Sequence, residues 1–462
     1  MNARAVRKTG ASIRNLDQLC SRGLTGLRRD ALEIAQVGLA ACDGGVAARE
    51  AVSLTPGGIL IDGIEHSLAD GQRLFVLGAG KATLPIAEAL EDVLGDRIDS
   101  GVVILRRGET ADLRHLDCYI ADHPLPTRES VEGALHLEEI AQEAKEGDLV
   151  IACFTGGSSA LASLPPDGVT FEDKRRLHEL LLGSGMPISL VNTVRKHVST
   201  IKGGRLAAHI APARIVNLTI SDVAGDVHDL VTDPSVQDSS TVKDAIAVLE
   251  DYGIWDQIPP SVAAHLKSPA AESPDLSGTE IHTSMLVTGI GVCEAMVAET
   301  RDRGYKPVVL TTTLEGEARE MGRFIADMAR SSGLAGYPFE PGTVILGCGG
   351  ENAVTIAGKG SFGDGGPGHE AALAAAAILD GCQVASLFMD TDGADGGTDA
   401  AGAICDGRTA ARAVENGLDL RQALLSHTSR KPLGQLGDLI DTGATGTNVN
   451  DLFVTVIGKE TP

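Results

Sequence analysis

Residues 73–90 read RLFVLGAGKATLPIAEAL, and this stretch decides the fold. The apolar run from Leu74 to Leu77 stops at Gly78-Ala79-Gly80-Lys81, after which apolar residues recur at helical spacing. Strand, glycine turn and helix start are the pieces of an α/β unit in which N–H groups and the helix dipole converge on an anion. Neither common phosphate-loop fingerprint is satisfied. Thr83 stands where a dinucleotide loop needs its third glycine, and a Walker loop needs four residues between its first Gly and Gly-Lys. Gly78 and Gly80 are expected to shape an anion cradle of another type, with Lys81 beside it.

Outward from this unit, short apolar runs at 74–77, 102–105, 149–154 and 215–220 alternate with helical patterns after Gly80, Thr127, Ser158 and Gly204. That alternation predicts a parallel sheet covered on both faces. The Pro-, Ser- and Ala-rich stretch 258–279 reads as a linker. Alternation then resumes, with strands near 284–288, 307–311, 343–347, 384–389 and 452–457. Helical patterns follow at 291–303, 315–332, 369–379 and 408–416, after an earlier one from Leu27 to Ala41. The expected organisation is an extension over 1–26, a Rossmann-like α/β domain over 27–280, and a second α/β domain over 281–462. Both are expected to be three-layered with mostly parallel sheets.

The formal net charge is -24 over 462 residues, which argues against nucleic acid or an anionic membrane as a partner held by broad electrostatics. An anionic substrate would need basic residues gathered locally. The eight cysteines are widely spaced without C-x-x-C, as expected for free thiols in the reducing cytoplasm. No apolar stretch approaches membrane-spanning length. Residues 1–26 are rich in Arg and Ser and are expected to be an extension rather than a transit peptide.

Local basic density appears in VNTVRKHVSTIKGGRLA, 191–207, which carries Arg195, Lys196, His197, Lys202 and Arg205. On one continuous helix Arg195 and Lys202 would share a face two turns apart, suited to a carboxylate or phosphate. In DLVIACFTGGSSALA, 148–162, a strand ends in Thr155, Gly156, Gly157, Ser158 and Ser159, whose small residues and hydroxyls suit anion binding. Asp222 follows directly on the run ending at 220, with Asp226 and Asp229 beyond, and carboxylates at strand ends suit Mg²⁺. In the second half Glu351 ends one strand, and Asp390, Asp392, Asp395 and Asp399 crowd a glycine loop after another. Four carboxylates so close need a cation or donors to compensate their repulsion, and a magnesium–nucleotide environment is the expectation.

The ordered series GAGKA, HPLP (123–126), TGGSSAL, VRKH, IKGGRLA, SDVAGD, LEGEAR (314–319), GGE, DTDGADGGTDAAGA and TGTNVNDL resembles the glycerate 2-kinase family, whose C-terminal part is known for the MOFRL motif. The likeness spans about 27–460. It implies two α/β domains facing a cleft, and ATP-dependent phosphorylation of the 2-hydroxyl of D-glycerate to 2-phosphoglycerate. Relatives were formerly called hydroxypyruvate reductases, a rival reading that Thr83 disfavours by breaking the dinucleotide fingerprint. A kinase of a related four-carbon sugar acid is the other alternative, and a homodimer is possible in either case. The resemblance assigns catalysis to Lys81, here joined by Arg195 and Lys202. Substrate and nucleotide contacts are expected from Gly78, Gly80, Gly156, Gly157, Ser158, Ser159, Arg205, Glu351, His369, Glu370 and Asn448, and metal contacts from Asp222, Asp390 and Asp392. One departure stands out. Relatives usually read GG[RP]NQE where this chain has Gly365-Gly366-Pro367-Gly368-His369-Glu370.

Overall fold

The strand Leu74–Ala79 lies in the middle of a six-stranded sheet whose order runs Asp117–Ala121, Ser100–Arg106, Leu74–Ala79, Leu149–Phe154, Arg214–Ile220, Ile281–Val287. This is the arrangement in a computed structural model, which describes residues 11–221, 234–356 and 363–459. The first five strands pair in parallel, with Leu77 opposite Val102 on one side and Ala152 on the other. Every residue of Leu74–Ala79 and of Leu149–Phe154 is buried, as strands covered on both faces must be. From Leu74–Ala79 the chain builds outward in one direction, then returns to start Leu149–Phe154 on the other side. The strand order therefore reverses between these two neighbours, and the crevice at their carboxyl ends is where open α/β sheets hold ligands.

The chain forms two compact units, one of Gly44–Ser221 continuing to Leu286, the other of residues up to Asp43 and from Val287 onward. The helix Thr25–Ala41 thus belongs with the C-terminal unit, whereas its position in the chain suggested the N-terminal domain. It packs on the helix Gly289–Asp302 and the strand Asp451–Ile457. Gly38 makes the approach possible, since a Cβ there would lie 2.8 Å from both Leu452 and Met296 side-chain atoms. Arg28 on the same helix is wholly buried and bonds Asp406 at 3.2 Å and Asp438 at 2.6 Å.

Two further expectations are corrected. The stretch 258–279 is not a linker, because Pro260–Leu266 forms a helix and Ile258, Val262, Leu266 and Ala271 join a hydrophobic cluster with Leu177, Val194 and Leu249. The C-terminal sheet is not mostly parallel. Its order is Lys306–Thr311, Thr343–Cys348, Asp451–Ile457, Val384–Asp390, Gly402–Asp406, Leu439–Ile440, and only the first pair is parallel. The link from Asp390 to Gly402 is too short to carry a crossover helix, so the chain returns antiparallel. An antiparallel three-stranded meander, Val52–Thr55, Gly58–Ile61 and Ile64–Ser67, was not anticipated at all. The eight cysteines are free thiols, six of them buried. No single helix among the described residues is long and apolar enough to cross a membrane.

Candidate active site

At the reversal point two turns interlock. Gly78 and Gly80 are required by this fit. A Cβ on Gly78 would stand 2.8 Å from the Cys153 carbonyl oxygen, and one on Gly80, at φ +144°, only 2.1 Å from Thr155 Oγ1. The Lys81 N–H donates to the Gly156 carbonyl at 2.8 Å, the Ala82 N–H to Thr155 Oγ1 at 3.1 Å, and Thr83 Oγ1 to the Cys153 carbonyl at 3.0 Å. These amides fasten the neighbouring turn, so the expected cradle of N–H groups over 80–82 is not what the stretch builds. Thr83, the residue that breaks the dinucleotide fingerprint, is part of that fastening.

The interlock fixes where the Lys81 side chain starts. Gly157, at φ +87°, has Lys81 Cγ 3.3 Å and His123 Nε2 3.5 Å from the position its Cβ would occupy. Lys81 and His123 therefore converge over Gly157. Ser158, buried, and Ser159, half-buried, open the short helix Ser158–Leu161 directly after it.

The basic stretch does not form one helix. Ile188–Lys196 ends at His197, and Lys202 lies in the turn before Arg205–Ile210. The five basic residues divide by role. Lys196 Nζ bonds Asp238 at 3.0 Å, both buried, and His197 Nδ1 bonds the Ala271 carbonyl at 2.8 Å. The Arg205 guanidinium binds the carbonyls of Lys196, Lys202, Ala271 and Glu272, which makes it a clasp between backbone segments. Arg195 and Lys202 do not share a helix face, and what relates them is that both act on His178. Arg195 Nη2 meets His178 Nε2 at 2.7 Å and Nη1 meets Asn192 Oδ1 at 3.4 Å.

His178 collects the cluster. Burial depresses its imidazole far below the usual range, and Arg195, Lys174, Lys202 and His123 each push it further. Burial likewise brings Lys174 down to about 7, aided by Arg195 and Arg205, and Arg195 to about 10. Four segments of a strongly acidic chain thus contribute basic groups that act on one buried imidazole. Lys174 and His178 were missed in the sequence because FEDKRRLHELLLG reads as an ordinary amphipathic helix; their spacing of four on one face was the available signal.

The C-terminal unit presents a different chemistry. Asp390 Oδ1 accepts the Asp392 N–H at 2.8 Å, and Asp392 Oδ1 accepts the Ala394 N–H at 2.9 Å. Asp395 caps the helix Pro367–Ile378 by accepting the N–H groups of Gly368 at 2.9 Å and His369 at 2.8 Å, while Asp399 meets Arg430. Donors from the backbone and Arg430 thus offset the crowding of these carboxylates. Asp451 accepts the backbone and side-chain N–H groups of Asn352, both at 2.8 Å. Burial nevertheless raises it to about 7, with Asp395 and the exposed Glu351 adding repulsion. His369 is wholly buried, its Nδ1 accepting the Gly366 N–H at 3.1 Å. Glu370, also buried, bonds His427 at 3.0 Å. Asn448 is half-buried and its Oδ1 accepts the Asn450 N–H at 3.3 Å. Among the described residues no three Asp, Glu, His or Cys side chains converge as metal ligands. Asp222, with Asp226 and Asp229, lies outside the described residues.

Residues 30–267 match a domain of unknown function (DUF4147), and residues 344–451 match the MOFRL family. The chain is 38% identical over 439 residues to a glycerate 2-kinase of Pyrococcus horikoshii, covering 92% of this chain and 98% of that one. It is 39% identical over 390 residues to a D-glycerate 2-kinase of Thermotoga maritima, covering 83% and 91%. A human glycerate kinase is 32% identical over 461 residues, with 87% of each chain covered. The crystal structure of a Thermotoga maritima glycerate kinase superposes with a TM-score of 0.79 at 36% identity, covering 92% of this chain and 98% of the other. With its motifs in the family's order and its fold shared over nearly the whole length, the chain belongs to the glycerate 2-kinase family.

Proposed function

We propose that the protein transfers the γ-phosphoryl group of ATP to the 2-hydroxyl of D-glycerate, giving 2-phosphoglycerate and ADP. The observation that carries this reading at the level of residues is the 2.7 Å contact of Arg195 with His178, on which Lys174, Lys202 and His123 also act electrostatically, together with the convergence of Lys81 and His123 over Gly157. Phosphoryl transfer asks mainly for positioning and for neutralisation of charge on the transferring group. Arg195 and Lys202 take the substrate carboxylate, with the Ser158 and Ser159 hydroxyls beside Gly156 and Gly157. Lys81 stabilises the phosphoryl group as the bond to the hydroxyl oxygen forms and the bond to the β–γ bridging oxygen breaks. Among the described residues no three ligand side chains converge, and the Asp390 and Asp392 carboxylates, each accepting one backbone N–H at Oδ1, are hard oxygen donors that would hold Mg²⁺ together with the phosphates of ATP. Magnesium enters as part of the MgATP substrate.

His369 and Glu370 are enclosed in the helix start, where they bond Gly366 and His427. The Pro367-Gly368-His369 departure therefore bears on that local packing. The buried free thiols suit the cytoplasm. The test is ADP release with MgATP and D-glycerate, L-glycerate or a four-carbon hydroxy acid, with ³¹P NMR locating the phosphate. D-glycerate is expected to give the 2-phosphate. Phosphorylation only of the four-carbon acid would replace the substrate, and oxidation of NAD(P)H by hydroxypyruvate without ATP would replace the reaction class.

A further inference from the structure

A guanidinium only donates hydrogen bonds, so the 2.7 Å contact between Arg195 Nη2 and His178 Nε2 fixes Nε2 as the acceptor and His178 as neutral. His178 is 5% exposed, and the charged or titratable groups that act on it most strongly are Arg195 from Ile188–Lys196, Lys174 from its own helix, Lys202 from the following turn, and His123. None of them is a carboxylate. Arg195 also keeps its Nε–H buried without a hydrogen-bond partner among the described residues.

These facts fit a particular requirement. An arginine that must bind an anion needs its long side chain held still, yet a carboxylate holding it would neutralise it and compete with the substrate. A neutral imidazole supplies the hydrogen bond without the opposing charge. We infer that His178 is a positioning residue for substrate binding, which orients the Arg195 guanidinium as an uncharged acceptor and leaves that guanidinium its full charge for the substrate carboxylate. This rests on the reading of Arg195 as the carboxylate clamp, and it adds a requirement on the chemistry of position 178: an acceptor without charge.

Three substitutions separate shape, acceptor and charge. His178→Gln keeps a neutral acceptor and is expected to leave the glycerate KM within about threefold of the parent. His178→Leu removes the acceptor and should raise that KM about tenfold, the loss of one charged hydrogen bond, with kcat and the MgATP KM within about twofold. His178→Glu keeps an acceptor but gives Arg195 an internal counterion, and should raise the KM at least as far as the leucine variant. A leucine variant with parental KM, or a glutamine variant as impaired as leucine or glutamate, overturns the inference. Should the leucine variant fail to fold, the glutamine–glutamate contrast decides alone, and equal KM values overturn it. Arg195→Ala separates the layers. An unchanged glycerate KM there overturns the clamp itself, whereas a raised KM beside a parental leucine variant overturns only the role of His178. In the Arg195→Ala background, His178→Leu should add nothing further to the KM; an additive effect overturns the coupling.

Discussion

Lys196 Nζ donates to Asp238 Oδ1 at 3.0 Å, with both side chains buried, and this pair removes one lysine of the basic stretch from any role with ligands. The Ser240 and Ser273 hydroxyls also donate to this carboxylate at 2.7 Å each, and the Ser240 N–H at 2.9 Å. Replacing Asp238 by Ala leaves an uncompensated buried ammonium, which costs about 3 kcal/mol or more. Urea unfolding of Asp238→Ala should show a loss of that order, and Lys196→Met should cost clearly less than half as much, because it leaves a carboxylate still held by two serines. Equal stability of the parent and Asp238→Ala would show that the pair is not a structural lock.

Lys81 gives the opposite expectation, a loss of turnover without a loss of fold. Its backbone N–H on the Gly156 carbonyl is retained in alanine. Lys81→Ala should keep the parental melting temperature while kcat falls by more than about tenfold, a loss above about 1.4 kcal/mol of transition-state stabilisation. Gly80→Ala should do the reverse first. A Cβ 2.1 Å from Thr155 Oγ1 forces the two turns apart, so the melting temperature should drop before kinetics can be compared. A Lys81→Ala enzyme with a tenth or more of parental turnover would refute the catalytic assignment.

The N-terminal sheet could be read from the sequence because its two central strands are continuous apolar runs, each ending in a glycine turn. Strand direction in the C-terminal unit could not, since an apolar run such as Val384–Asp390 looks the same whichever way its neighbours point. The strand Gly402–Asp406 hid behind the aspartate loop, whose charge density suggested a ligand site instead. At the basic stretch, charge pointed to Arg195 and Lys202, yet helical continuity was the wrong reason. The helix stops at Lys196, and the two are related through His178, which precedes Arg195 by 17 residues in a segment with no anomaly of composition.

The helix Thr25–Ala41 illustrates a relation that chain order conceals. Arg28 bonds Asp438, 410 residues away, and Asp406, with all three side chains at zero exposure. The two carboxylates have further donors, Arg412 for Asp438 at 2.6 Å and the Leu24 N–H for Asp406 at 3.0 Å. Arg28→Met preserves volume but leaves the site with an excess of buried negative charge, at a cost of about 3 kcal/mol. The expected result is a clear fall in the melting temperature, with Michaelis constants at low temperature little changed because Arg28 lies outside the proposed site. A melting temperature equal to the parent's would mean that the burial of this arginine is not what fixes the helix.

The pH dependence of stability tests the buried cationic cluster. Lys174 is brought from the ordinary lysine value of 10.5 to about 7, chiefly by burial and then by Arg195 and Arg205. Between those two values the unfolded chain binds a proton at this position that the folded chain does not, so folding releases it and stability rises with pH. Below about pH 7 both states hold the proton, and the full penalty of the buried charge is present. The greatest slope from one such group is about 1.4 kcal/mol per pH unit. Lys174→Met removes the titration together with the hydrogen bond from Nζ to the Val198 carbonyl, and that lost bond shifts its stability by an amount independent of pH. Urea unfolding of parent and variant at pH 7.5 and 9.5 separates the two effects. Subtracting the variant's unfolding free energy from the parent's cancels the titration of cysteines and tyrosines common to both, and the difference should grow by about 2–2.5 kcal/mol in the parent's favour from the lower pH to the higher. A difference that stays constant would show that Lys174 keeps its ordinary proton affinity, and with it that the cluster around His178 is solvated more fully than its burial indicates.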